Sequence, residues 1–277
     1  MQLLLGVEAF ELRRTDPERY LDAGRAAVSI AMVEAFAQWR RPRSSCAGGI
    51  VLAGRDFRPG AGWGLIDSDG LAKAPLYALR RVLAPLAVWI VDDGLDGVQV
   101  VVANDRATGS DVQLELQSWS EDGDLVDEAT HSFWLAPYRV EEFAVDRLIG
   151  RFTDMSGSYG FGPRTRDVLR VALRDRSGSL LAEQVQLLDN RLRGLARGGL
   201  EGSLVERVDG WHAVLTARRT AQWVALASSA WTGEDGWFHM APGTTRDVRL
   251  LPIEPQRGQG PNVSVRALNV EEFLLAP

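Results

Sequence analysis

The 277 residues carry 31 Lys and Arg against 37 Asp and Glu, a net charge of −6, and 45% of them are hydrophobic. That balance is the globular average. It excludes disorder and collagen-like repeats, and it offers no cationic surface for nucleic acid or an anionic membrane. The length accommodates two or three compact units.

A single cysteine, Cys46, excludes an intrachain disulfide and a cysteine-built zinc site, and reads as a buried structural thiol. The three histidines, His131, His212 and His239, stand too far apart for a zinc motif, so no metal and no cofactor is expected. Met1 to Val7 lacks a basic leader, and no run reaches the roughly 18 apolar residues of a membrane span. On these grounds the chain reads as soluble and cytoplasmic.

From Asp16 to Arg41 the pattern is helical, with Asp16 as the cap, Pro17 in the first turn and Pro42 as the stop. Leu21, Val28, Met32, Ala35, Phe36 and Trp39 recur at helical spacing and predict one apolar stripe, opposite Arg19, Asp22, Arg25 and Glu34. Ala47 to Ala53 is a continuous apolar run, the pattern of a strand buried on both faces in a parallel sheet. A second helix is predicted from Leu71 to Leu83, ending before Pro85. Helix, buried strand and helix form a fragment of an α/β fold, and one buried strand needs neighbours to satisfy its edges.

After Leu86 the text turns to strands. Val98 to Val102 and the alternating Val112 to Trp119 are examples, with turns at Glu121 to Asp124 and at Arg176 to Ser179. They predict a β-sandwich over 87–192. Arg191 to Gly202, rich in Gly and Arg, reads as a linker. Further alternation at 211–216, 222–228, 246–251 and 263–268 predicts a second, smaller sandwich over 193–277. Trp119, Trp134, Trp211 and Trp223 are assigned to sandwich core, and Trp231 and Trp237 to more exposed positions. Arg139, Arg147, Arg151, Arg164 and Arg166 read as a solvated face.

The run Gly49-Ile-Val-Leu-Ala-Gly-Arg-Asp-Phe-Arg-Pro-Gly-Ala-Gly-Trp-Gly-Leu-Ile-Asp67, followed by Gly70, Lys73-Ala74 and Tyr77 to Arg81, resembles the barrel end of family 2 glycoside hydrolases in the β-mannosidase branch. There an apolar strand ends in a polar pair, an aromatic turn follows, and a Lys-Pro-type helix closes the barrel. Val102-Ala-Asn-Asp105 resembles the start of that family's first sandwich. Glu234 to Gly243, with Arg246-Asp-Val248, resembles its last immunoglobulin-like domain.

The resemblance implies a mainly β, multidomain architecture: the terminal α/β layers of an incomplete (β/α)8 barrel over 1–86, then two immunoglobulin-like β-sandwiches. It implies β-mannosides or related oligosaccharides as substrate of the complete enzyme. Retaining hydrolysis needs two carboxyl groups about 5 Å apart. In the family both are glutamates on barrel strands preceding the part matched here, and no Asn-Glu pair occurs in this sequence. The chain alone is therefore expected to be inactive.

Arg55, Asp56 and Trp63 follow the C-terminal end of the expected strand and are the candidate substrate-binding residues, although Leu52 stands where the family commonly has Trp. Asp56, Asp67 and Asp69 read first as turn formers rather than acids. Two alternatives stay open: a stand-alone carbohydrate-binding or interaction module, and a split enzyme whose missing barrel strands come from a protein partner.

Overall fold

The computed structural model describes residues 1–46, 48–160, 162, 164–254 and 260–276. They form two compact units, one of Met1–Ile30, Ala53–Tyr77 and Asn190–Pro277, the other of Ala31–Leu52 and Ala78–Asp189. The helices are α1 (Gln2–Leu5), α2 (Ala9–Thr15), α3 (Pro17–Trp39) and α4 (Ala74–Val82).

The start of α3 is set by the predicted cap, since the Asp16 carboxylate accepts the Arg19 N–H at 3.1 Å. Its buried face differs from the expected stripe. Ala23, Ala26, Ala27 and Ile30 are buried, whereas Leu21 and Val28 are about half exposed. Small side chains at helical spacing leave room for the large partners Leu5, Trp223 and Leu268 in the same cluster. Asp22, assigned to the polar face, is buried and holds Arg25 at 2.5 Å and Arg266 at 3.7 Å.

The unit containing residues 78–189 is a sandwich of β1 (Leu86–Asp92), β2 (Val98–Asn104), β3 (Ser110–Trp119), β4 (Leu125–Leu135), β5 (Arg139–Ala144), the short helix α5 (Val145–Ile149), β6 (Val168–Asp175) and β7 (Leu180–Leu187). One sheet runs β1-β2-β5 and the other β4-β3-β6-β7, every pairing antiparallel. Leu86, Val88, Ile90, Val100 and Val102 meet Leu114, Leu116, Leu169, Val171 and Leu173 in one core. Each such side chain contributes about 1.5–3 kcal/mol of burial. The second face of β1 is buried too, with the Arg40 guanidinium 5.3 Å from the Trp89 ring, which is why this strand reads as an unbroken apolar run.

The other unit holds β8 (Leu200–Arg207), β9 (Gly210–Ala217), β10 (Ala221–Ala227), β11 (Trp231–Gly233), β12 (Phe238–Met240), β13 (Thr245–Pro252), β14 (Ser264–Ala267) and β15 (Val270–Leu274). Its sheets are β12-β10-β14-β15 and β11-β13-β9-β8 around a core of Leu204, Leu215, Val224, Phe238, Leu250 and Val265. The mainly β reading therefore holds.

Several expectations are corrected. Residues 48–53 form no strand, and Ile50 and Leu52 are 94% and 89% exposed; the described chain supplies no neighbouring strands to cover them (Ala47 lies outside the described residues). Residues 191–193 are no free linker, because the buried Gln222 side chain donates to the Arg191 carbonyl at 2.9 Å and accepts the Arg193 N–H at 3.1 Å. Cys46 is only partly buried. Arg166 and Arg151 are not merely solvated, since both reach the buried Asp127 carboxylate at 2.5 Å. Among the described residues no helix is long and apolar enough to cross a membrane.

Candidate functional site: the loop from Gly54 to Lys73

The three candidate residues lie on a loop that folds back on itself. The Asp56 N–H donates to the Ile66 carbonyl at 2.9 Å, and the Leu65 and Ile66 amides donate to Gly54 at 3.1 and 3.0 Å. Lys73 closes the loop, its amide reaching the Leu65 carbonyl at 2.9 Å. The far turn is made by Asp67, whose carboxylate accepts the Asp69 and Leu71 amides at 3.0 and 2.8 Å, the turn-forming role its sequence suggests.

Asp56 is the organising group. It is buried, and its carboxylate accepts the Gly64 N–H at 2.7 Å and the Lys73 ammonium at 2.7 Å, while that ammonium also donates to the Gly62 carbonyl at 2.9 Å. Lys73 first and the Gly64 amide second hold the Asp56 carboxyl below the usual aspartate range, so it is ionised at neutral pH and unsuited to donate a proton.

The glycines flanking Trp63 are required by this closeness. A Cβ on Gly62 would lie 2.2 Å from an Asp56 oxygen, and one on Gly64 would lie 2.6 Å from the Asp56 amide nitrogen. With both neighbours pressed onto Asp56, the Trp63 ring is turned outward and is 86% exposed. Arg55 is exposed as well, its guanidinium donating to the Ser68 carbonyl. The loop thus presents one indole and one guanidinium on a rigid base, with Asp56 beneath them as a brace. The missed member is Lys73; its pairing with an aspartate 17 residues away is set by the loop closure, which spacing alone does not encode.

Gly64→Ala is expected to push the turn off Asp56 while leaving both sandwiches folded. Trypsin cleavage at Arg58 should rise about tenfold, the consequence of roughly 1–2 kcal/mol of overpacking on a local opening equilibrium. Unchanged cleavage would show that Asp56 does not brace this turn.

Among the described residues no group of three or more His, Cys, Asp or Glu side chains converges as metal ligands would. Asp93 and Glu142 share Arg41 at 2.6 and 2.5 Å.

No family model matches the sequence, and no curated protein does. Solved structures do match. The β-D-mannosidase of Dictyoglomus thermophilum aligns over 92% of this chain with a TM-score of 0.72 at 15% identity. The chain folds as part of that enzyme does. The exo-chitosanase of Amycolatopsis orientalis aligns over 93% with a TM-score of 0.67 at 14% identity. The chain spans only 30% and 34% of those two proteins, about a third of each. At such identity the likeness is one of fold, and because a mannosidase and a chitosanase share it, the fold does not choose the sugar. The resemblance to the C-terminal portion of such an enzyme agrees with this fold.

Proposed function

We propose that this chain serves as the C-terminal, non-catalytic part of a glycoside hydrolase resembling β-mannosidase. In this reading residues 1–86 complete the end of a (β/α)8 barrel and the two sandwiches, 87–192 and 193–277, follow it. The observation that carries the proposal is the shared fold with about a third of two larger glycosidases, together with apolar side chains left open where a barrel strand is expected. Ile50 and Leu52 are exposed in one unit, Phe57 and Trp63 in the other. Exposed apolar groups in such number favour a covering partner, here the remaining barrel strands. Trp63 and Arg55 would then face the substrate, a β-mannoside or related oligosaccharide, with the Asp56–Lys73 pair holding their loop in place. A single cysteine suits a cytoplasmic setting.

One close pair of carboxylates among the described residues is in the wrong state for such catalysis. A retaining glycosidase keeps one carboxyl of a close pair protonated near neutral pH. Asp93 and Glu142 are gathered on Arg41, and each is held below its usual range: Asp93 by the Arg41 hydrogen bonds above all, Glu142 by Arg41 and Arg43 against the opposing effect of burial. Both are therefore anions, tied to guanidinium.

The purified 277-residue chain is expected to release no nitrophenol from 4-nitrophenyl β-D-mannoside above the buffer rate. Turnover that survives repurification and disappears with an active-site-directed mannosidase inhibitor would overturn the proposal.

A further inference from the structure

Outside the loop at 54–73, the sandwich unit containing 78–189 carries a shallow cleft lined by Leu95, Asp96, Asp146, Phe152, Asp154 and Tyr159. Its walls are unusual for a protein surface. Phe152 and Tyr159 are 70% and 53% exposed, yet they stand edge to face, with ring centroids 5.6 Å apart and planes at 76°. Burial does not explain two aromatic rings held so openly.

Tyr159 is nevertheless fixed in place. The Tyr159 hydroxyl donates to the Leu95 carbonyl at 2.7 Å. Asp154 gathers the loop beneath it, accepting the amides of Ser158, Tyr159 and Gly160 at 2.9, 3.0 and 2.7 Å. From the other side Arg164 donates to the Ser156 carbonyl at 2.8 Å and the Leu188 carbonyl at 2.7 Å. The loop that carries Tyr159 is thus tied at both ends while its ring remains open to solvent. That is preorganisation for a ligand, because the cost of ordering the ring is already met in the free protein.

We propose that this cleft is a carbohydrate-binding subsite for a single neutral or amine-bearing pyranose residue of a glycan. An apolar ring corner accepts the C–H face of a sugar, and aspartate oxygens of Asp96 and Asp146 at the rim accept its hydroxyl or ammonium hydrogens. Three aspartates on the wall disfavour a uronic acid by like charge. A bound cation is disfavoured because, among the described residues, no acidic group has the convergence of a metal site. The subsite needs no barrel, so it stands or falls apart from the proposed glycosidase role.

The test is isothermal titration of the full chain with β-1,4-manno-oligosaccharides and chitosan oligosaccharides, with oligogalacturonate as the acidic control. Binding of at least one of the first two is expected, with Phe152→Ala weakening it at least tenfold and Trp134→Ala, an exposed indole outside the cleft lining, leaving it within twofold. Phe152 is largely exposed, so the variant should keep the wild-type melting curve, and Tyr159→Phe, which loses only the tie to Leu95, should weaken binding severalfold. The proposal is overturned by absence of binding to both neutral and amine-bearing glycans, by equal binding of Phe152→Ala, or by oligogalacturonate binding as tightly as the others.

Discussion

Arg41→Met is expected to destabilise the unit of residues 78–189 by about 3 kcal/mol, the low end of the range for removing one partner of a buried ion pair. The guanidinium is 7% exposed and saturated. It donates to Asp93 at 2.7 and 2.6 Å, to Glu142 at 3.3 and 2.5 Å, and to the Gln38 side chain at 3.0 Å. Asp93 follows β1 and Glu142 lies on β5, so one side chain just beyond α3 ties together both edges of the β1-β2-β5 sheet. Its loss leaves two mostly buried carboxylates with only Arg43, which is itself largely exposed, and that residual partner is why the low end applies. For a unit of this size 3 kcal/mol corresponds to a melting shift of about 10 °C. A shift under about 3 °C would place the cluster with ordinary surface pairs. Replacing all three groups, Arg41→Met with Asp93→Asn and Glu142→Gln, should recover much of the loss, because no charge is then left buried and unpaired.

The same cluster fixes a pH dependence. Asp93 and Glu142 titrate lower in the folded chain than in the unfolded one, so the unfolded state takes up protons first as pH falls. Their contribution is complete above about pH 5, where unfolded carboxylates are ionised, and is lost as pH falls through the depressed folded values, below the ordinary carboxylate range. In Arg41→Met that acid-side slope should flatten, which urea melts between pH 3 and 6 would register.

Where one face of a strand is buried and the other wet, the sequence was readable. Val112 to Trp119 alternates, and β3 carries Val112, Leu114 and Leu116 into the core as parity requires. The same parity rule exposes a misassignment. Phe133 and Leu135 point to that core, so Trp134 between them must face the other way, and it is mostly exposed. Three consecutive large apolar residues conceal which parity is inside. The run at 48–53 failed for a different reason: continuous apolarity signals burial on both faces only if something is present to do the burying, and no described strand is. At the candidate site the glycines around Trp63 were the legible sign of a tight approach, whereas the Asp56–Lys73 pair depends on loop closure. The cleft of Phe152 and Tyr159 left a faint trace, an aspartate leading a Ser- and Gly-rich run from Asp154 to Gly160, where side-chain-to-amide turns form readily.

Trp223→Ala is expected to cost about 3–4 kcal/mol, the range for deleting a buried aromatic side chain. Alternation along β10 assigns this ring to the sandwich core. Instead the register shifts between Ala221 and Val224, and Trp223 takes a left-handed φ of 54°. A bulge re-aims the side chain at that point, and the indole joins Leu5, Ala23, Ala26, Ala27 and Ile30 in a cluster with α1 and the first turns of α3. His239 secures the bulge by accepting the Trp223 N–H at 3.3 Å and meeting the ring edge to face at 4.7 Å. Removing the indole should therefore loosen the helices rather than the sheets: protease cleavage within 13–25 should rise while the β-sheet signal in the far-ultraviolet persists. The backbone gives a second, opposite-signed check. An L residue at this φ is strained by about 1 kcal/mol and glycine is not, so Trp223→Gly should be no less stable than Trp223→Ala despite the greater freedom of its unfolded chain. If glycine proves clearly the worse of the two, the left-handed turn is not what directs the indole toward the helices.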